Sequence, residues 1–317
     1  MSLHRTVVAA LILSTLAFAE EGPRSPDGPK RPDPDRPGPW DADVVVYRIP
    51  ADGTPEKVAT FERAGVPTIA RMKDGRLIAA HQHFPENNET DFDKVAVRFS
   101  ADEGRTWTAP EVIRLDGLPE GMRFPFDPTL VPLPDGRVRL YFTSVKGRTF
   151  EDGPPAIYSA VSKDGVEYTF EPGVRFAVDG RIVIDCAVVL HCGRFHLFSP
   201  DNGAVGKRDG DRPQEGVGYH AVSDDGLTFT RLDDVKIEGH RNWLGNAQSD
   251  GKRITFYGTG GGAIWTATSG VGNTWAYAGS LAVPGADPGA VSTPDGGLIV
   301  VVTGGPRPGT PSARKRR

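Results

Sequence analysis

Residues 129–144 read TLVPLPDGRVRLYFTS: an apolar run, the turn Pro134-Asp135-Gly136, and a second run in which apolar and polar residues alternate. An Asp-Gly pair between two such runs predicts a β-hairpin. The layout recurs at Lys73-Asp74-Gly75, His191-Cys192-Gly193, Ser249-Asp250-Gly251 and Pro294-Asp295-Gly296, so five turns share a glycine. A third strand follows each of the first four hairpins, as KVAVRFS (94–100), AIYSAVS (156–162), GVGYHAVS (216–223) and GAIWTATS (262–269). All four end in serine and run into a second turn. The first is Ser100-Ala101-Asp102-Glu103-Gly104-Arg105-Thr106-Trp107. The next two are shorter, Ser162-Lys163-Asp164-Gly165 closing with Tyr168 and Ser223-Asp224-Asp225-Gly226 closing with Phe229. The fourth, Ser269-Gly270-Val271-Gly272-Asn273-Thr274-Trp275, is degenerate.

Repetition of this kind marks a repeat architecture. Here it is an all-β one, a five-bladed β-propeller. The fifth hairpin (287–304) runs out of chain before its third and fourth strands. The missing pair stands at the other end, as VVVYRIP (44–50), Ala51-Asp52-Gly53 and EKVATF (56–61). The N-terminal strands are therefore expected to complete the last blade, which closes the ring and leaves no unpaired edge at the seam.

The flanks read differently. Residues 1–19, with the apolar run TVVAALILSTLAFA (6–19), are expected to be a secretory signal peptide. Residues 20–41 are rich in Pro, Gly and charge and are expected to be a linker. The propeller is assigned to 42–305 and a basic tail to 306–317. This implies a secreted or periplasmic protein without a membrane attachment after signal cleavage, expected to be monomeric. The 39 glycines and 28 prolines suit the many turns of short strands. A net charge of −4 gives no reason to expect nucleic acid as a partner. Cys186 and Cys192, on one extended strand, would lie about 20 Å apart, beyond disulfide reach, and both are read as buried thiols.

In a propeller the first strand of each blade lines the central channel. Counting back nine residues from each hairpin glycine, and eight in the third blade, reaches Val66, Asp127, Asp185, Asn242 and Asp287. Three carboxylates at one level of a ring call for an explanation, since buried aspartate is rare without a partner or a task. Like charges brought close raise at least one pKa and set an acid beside a base. A hard cation such as Ca²⁺ held among them is a second reading, and Asp side chains that only cap the channel mouth are a third. The long loops 82–93, 145–155 and 199–215 belong to the same face and bring His83, Glu86, Asp91, Asp93, Lys146, Arg148 and Asp201, while Arg63, Arg123 and Arg241 flank the ring positions. Such a polar cleft suits a carbohydrate or another polar small molecule. His81 and His83 share a strand face, but a third ligand is lacking, so no metal and no cofactor are assigned.

The serine turns resemble the S-x-D-x-G-x-T-W box of the sialidase superfamily. Together with 127–143 they also resemble the five-bladed glycoside hydrolases of the arabinanase and fructosidase type. The second resemblance implies carboxylates at the inner-strand starts, here Asp127, Asp185 and Asp287, with an acid supplied by a loop residue such as Glu86 or Asp201. The first implies an acid/base Asp upstream of the first box, which Asp91 or Asp93 matches. The sialidase arginine and glutamate are not met: Gly65 and Asn246-Ala247-Gln248 stand at their places. Tyr47-Arg48-Ile49-Pro50 imitates a sialidase motif, but the repeat puts it on an outer strand. The resulting expectation is a secreted glycoside hydrolase-like propeller. Asp127, Asp185, Asp287, Glu86 and Asp91 are its catalytic candidates. Arg63, His83, Arg123, Arg148, Asp201, Arg241 and Asn242 are its substrate-binding candidates. The competing class is a non-catalytic glycan- or protein-binding propeller.

Overall fold

The computed structural model describes residues 39–147, 153–205, 213–239 and 241–307. The expected signal peptide, most of the linker and the tail from 308 lie outside the described residues. Five antiparallel sheets stand in sequence order. Blade one runs Ala64–Arg71, Leu77–His83, Lys94–Ser100 and Glu111–Val112 from the axis outward. Blade two runs Phe126–Pro132, Val138–Ser144, Ala156–Ser162 and Glu167–Phe176, and the short strand Arg114–Asp116 joins its edge in parallel. In blade three, Ala187–His191, Arg194–Pro200 and Val217–Ser223 are flanked by Thr230–Arg231 and Val235–Lys236. Blade four runs Arg241–Ser249, Ile254–Gly260, Ala263–Ser269 and Ala276–Leu281.

Blade five takes its inner strands, Ala286–Ser292 and Leu298–Pro306, from the end of the chain and its outer strands, Ala42–Ile49 and Glu56–Phe61, from the beginning. The seam is sewn by the pairs Val44↔Thr303, Val46↔Val301 and Arg48↔Ile299. This is the closure expected from the repeat. Arg48 lies on the third strand of its blade, pairs with Asp295 at 2.6 Å and is remote from the axis.

Packing explains the burial. Each blade is covered by a neighbour on both faces, so a strand such as Val138–Ser144 is buried at every residue. The outermost strand of blade four, Ala276–Leu281, is largely exposed. Five apolar clusters fill the five seams between blades. The seam between blades three and four is the most aromatic, with Phe198, Trp243, Phe256, Trp265 and Trp275 in mutual ring contact.

The serine turns close three blades in one manner. Ser100 Oγ accepts the Gly104 N–H at 2.9 Å and donates to Asp102 at 2.9 Å, and the Asp102 carboxylate accepts from the Thr106 N–H and hydroxyl. Asp164 accepts the Val166 and Glu167 N–H groups, and Asp225 accepts those of Leu227 and Thr228. One expectation needs correction. Cys186 is buried, but Cys192 is exposed. It sits at the hairpin tip with φ 49°, where the sister turns carry Asp, and its Sγ lies 3.6 Å from the Gly251 carbonyl of the next hairpin.

Candidate functional site

The innermost strands of blades one, two and five each carry an irregularity in pairing near their start, between Gly65 and Thr68, Phe126 and Thr129, and Ala286 and Gly289. The extra residue is accommodated by a left-handed backbone: φ is 48° at Val66, 50° at Asp127 and 49° at Asp287, with proline next in all three. Asp185, just ahead of the first strand of blade three, matches them at 62°. Aspartate tolerates this conformation, whereas a β-branched valine is strained in it.

Neighbouring blades hold these residues. The Val66 N–H donates to Thr303 Oγ1 at 2.8 Å, the Asp185 N–H to Thr143 at 3.0 Å and the Asp287 N–H to Thr259 at 2.9 Å. Each threonine belongs to the second strand of the preceding blade. Thr143 also bonds the carboxyl of Asp127, and Thr303 that of Asp287. One hydroxyl thus fixes the carboxyl of its own blade and the backbone of the next.

Blade four departs from the count. Its first strand advances three residues, Asn242 to Gly245, while its partner advances one. Trp243 is anchored in the seam, with Nε1 donating to Gly216 O at 3.0 Å. Leu244 therefore faces the axis, and Asn242, expected at this level, is exposed. The result is a small recess of about 20 Å³ lined by Val66, Asp127, Asp185, Leu244 and Asp287.

Loss of water and mutual repulsion govern its chemistry. Burial, then the charge of Asp287, push Asp127 up to about 7. Burial, then Asp127 and Asp287, hold Asp185 well above the usual carboxylate range. Burial alone raises Asp287, against the hydrogen bond from Thr303. Among the described residues, no group of three or more His, Cys, Asp or Glu is arranged to hold a metal ion.

Above the ring, Asp93 (φ 63°) accepts from Gln82 Nε2 at 2.5 Å and from the Arg123 guanidinium, which lies 4.4 Å over the Phe126 ring. It is near enough to raise Asp127. Asp91, the expected catalytic candidate from this loop, instead accepts from the Asn88 side-chain amide at 2.7 Å and sits 3.8 Å from Lys94. Glu86 is ion-paired with Arg63 in an exposed position. His83 faces a blade seam, its ring 6.0 Å from that of His81, which packs on Phe61. Arg98 places its positive charge near both histidines. Burial opposes the charge of Asp201, but Arg181 at 2.5 Å, the Gly203 N–H and Tyr219 hold its carboxyl below the usual range. Arg241 lies 4.0 Å over the Tyr277 ring. Arg148 is outside the described residues.

The structure thus brings Asp127, Asp185 and Asp287 together and sets Arg123 beside them. It leaves Asn242, Asp91, His83 and Asp201 in other surroundings. Thr143, Thr259, Thr303 and Leu244 were not singled out from the sequence. The threonines had a signal: they follow hairpin glycines 136, 251 and 296 by seven, eight and seven residues.

No family model and no curated protein matches the chain. Solved structures do. An N-acetylgalactosamine deacetylase from F. plautii, in complex with blood group B trisaccharide, superimposes with a TM-score of 0.56 at 14% identity, over 81% of this chain and 85% of that one. An α-L-arabinanase from Penicillium chrysogenum, complexed with arabinobiose, gives 0.53 at 14%, over 84% and 87%. A family 117 glycoside hydrolase from Zobellia galactanivorans gives 0.52 at 14%, over 84% and 92%. At such identities the likeness is one of fold, that of propeller glycoside hydrolases.

Proposed function

We propose that the protein is a glycoside hydrolase working at the open end of its propeller axis. The observation that carries this reading is the set of three aspartates on equivalent left-handed positions around one recess, all displaced upward in pKa. Asp287, raised by burial and held back by the hydrogen bond from Thr303, is the base or nucleophile. Asp127, poised near neutrality, is the acid that protonates the leaving oxygen. Asp185 is the third carboxyl, whose interaction with Asp127 tunes when that proton leaves; the three titrate as a unit. An acid and a carboxylate flanking a glycosidic bond are the two groups its hydrolysis requires. Arg123, fixed by Asp93 and Phe126, is a hydrogen-bond donor at the rim for sugar hydroxyls. Bound trisaccharide and arabinobiose in two of the similar structures support a carbohydrate ligand. The leader-like residues 1–19 support secretion.

The test is hydrolysis by the chain across aryl glycosides and polysaccharides, sialosides included, beside Asp127→Asn. Turnover of one substrate, lost in the variant, is the expected result. Absence of turnover on every substrate, with sugar binding intact, would make the ring a scaffold in a glycan-binding propeller.

A further inference from the structure

The other end of blade four differs from its sisters in a way the site above does not use. Ser269 still accepts the Gly272 N–H at 2.8 Å, and Trp275 Nε1 still donates to Gly272 O at 2.9 Å, as Trp107 does to Gly104 O. The turn therefore keeps its shape. Its carboxylate is gone: Val271, 65% exposed, stands where Asp102, Asp164 and Asp225 cap the amides of their turns. The corresponding amides of Asn273 and Thr274 have no side-chain acceptor among the described residues.

The neighbouring hairpin has not lost its positive charge. In blade three, Arg194 Nε reaches Asp224 of the adjoining serine turn at 2.9 Å. In blade four the hairpin carries Lys252 and Arg253, and the adjoining turn carries no acid. Arg253 has only Asp250 of its own hairpin, at 3.3 Å between exposed side chains, and Lys252 has no ion-pair partner among the described residues. Between hairpin and turn lies an open groove of about 420 Å³, lined by both cations, the hydroxyl-bearing Thr268, Ser269 and Thr274, and Trp275.

We infer that this groove is a second binding site, for an acidic oligosaccharide. Lys252 and Arg253 meet the carboxylate or sulfate, Thr268 and Thr274 meet ring hydroxyls, and Trp275 adds apolar lining for the sugar. The volume is that of a small-molecule site. The choice of a sugar over another anion rests on the carbohydrate reading of the mouth; the charge argument does not.

The test uses the full chain in native affinity electrophoresis through gels holding polygalacturonate or dextran sulfate, with neutral dextran and poly-glutamate as controls. The expected result is retardation by the acidic polysaccharides alone, relieved by salt. Gly270→Asp places an acid at the position from which Asp224 pairs with the hairpin cation in blade three, on the wall of the groove. It should weaken binding at least about tenfold while leaving the thermal midpoint unchanged or higher, so that loss of binding is not loss of fold. Lys252→Glu should act alike. Retention of binding in Gly270→Asp, absence of retardation in the parent chain, or equal retardation by poly-glutamate would each overturn the assignment. Asp127→Asn separates the two sites: it should abolish turnover and leave retardation untouched, and loss of retardation there would place the anion at the mouth instead.

Discussion

The two ends of the propeller treat the same side chain in opposite ways. At the turn end, Asp102 and Asp225 are held down to about 2, Asp102 chiefly by the Thr106 hydroxyl and amide and Asp225 by the Thr228 and Leu227 amides. At the mouth, burial first, and for Asp127 and Asp185 the neighbouring carboxylates next, raise the carboxyls of Asp127, Asp185 and Asp287 above the usual range. The first arrangement stabilises the fold; the second costs stability. An arrangement that costs stability and recurs at three of five positions is what a functional site looks like in physical terms.

The largest expected effect breaks the comparison at the mouth. Asp127→Asn keeps the shape and removes the proton, and turnover should fall by about 10²–10⁴-fold, measured as kcat on the substrate found in the hydrolysis panel. The same variant should gain stability. The sign follows from linkage: Asp127 binds a proton in the folded state up to about pH 7 but releases it near pH 4 when unfolded. Its contribution is therefore full at low pH and is lost as pH rises toward and through 7. Above pH 7 the Asn variant should melt several degrees higher than the parent, and the difference should shrink as pH falls to 5. A calorimetric series over that range measures it; an Asn variant that melts lower at pH 8 would mean that the carboxylate has a partner at the mouth.

Two threonine variants sharpen the contrast. Thr143→Val and Thr259→Val each strip a hydroxyl from a ring N–H, of Asp185 and Asp287 respectively, and each should cost about 1–2 kcal/mol by chemical denaturation. Only Thr143 also bonds a ring carboxyl, so only Thr143→Val should raise the upper pKa of the pH–rate profile. The smallest effect lies at the turn end. Asp164→Ala removes the acceptor of the Val166 and Glu167 amides and should cost about 1 kcal/mol, with kcat unchanged. The turn carboxylates also give the opposite pH trend: Asp102 and Asp225 contribute above about pH 4, and that contribution fades as pH falls to 2. Buried His196 and His220, lowered to about 4 by loss of water, add to this acid-side loss between about pH 6.5 and 4.

The blade count, the closing of the ring by residues 44–61, the off-axis place of Arg48 and the gathering of Asp127, Asp185 and Asp287 could all be read along the chain. Each depends on a local rule: hairpin turns declare themselves in two or three residues, strand length sets how far back the axis lies, and a repeat propagates that distance from blade to blade. Leu244 in place of Asn242 could not be read so, because the wider irregularity of blade four is set by Trp243 docking on Gly216 from the neighbouring blade. Asp93 facing the ring while Asp91 turns to Asn88 depends on Arg123, thirty residues away, and on a left-handed backbone. The raised pKa values belong to the same category. They arise from distances between blades and from water excluded by all five, and those quantities exist only once the ring has closed.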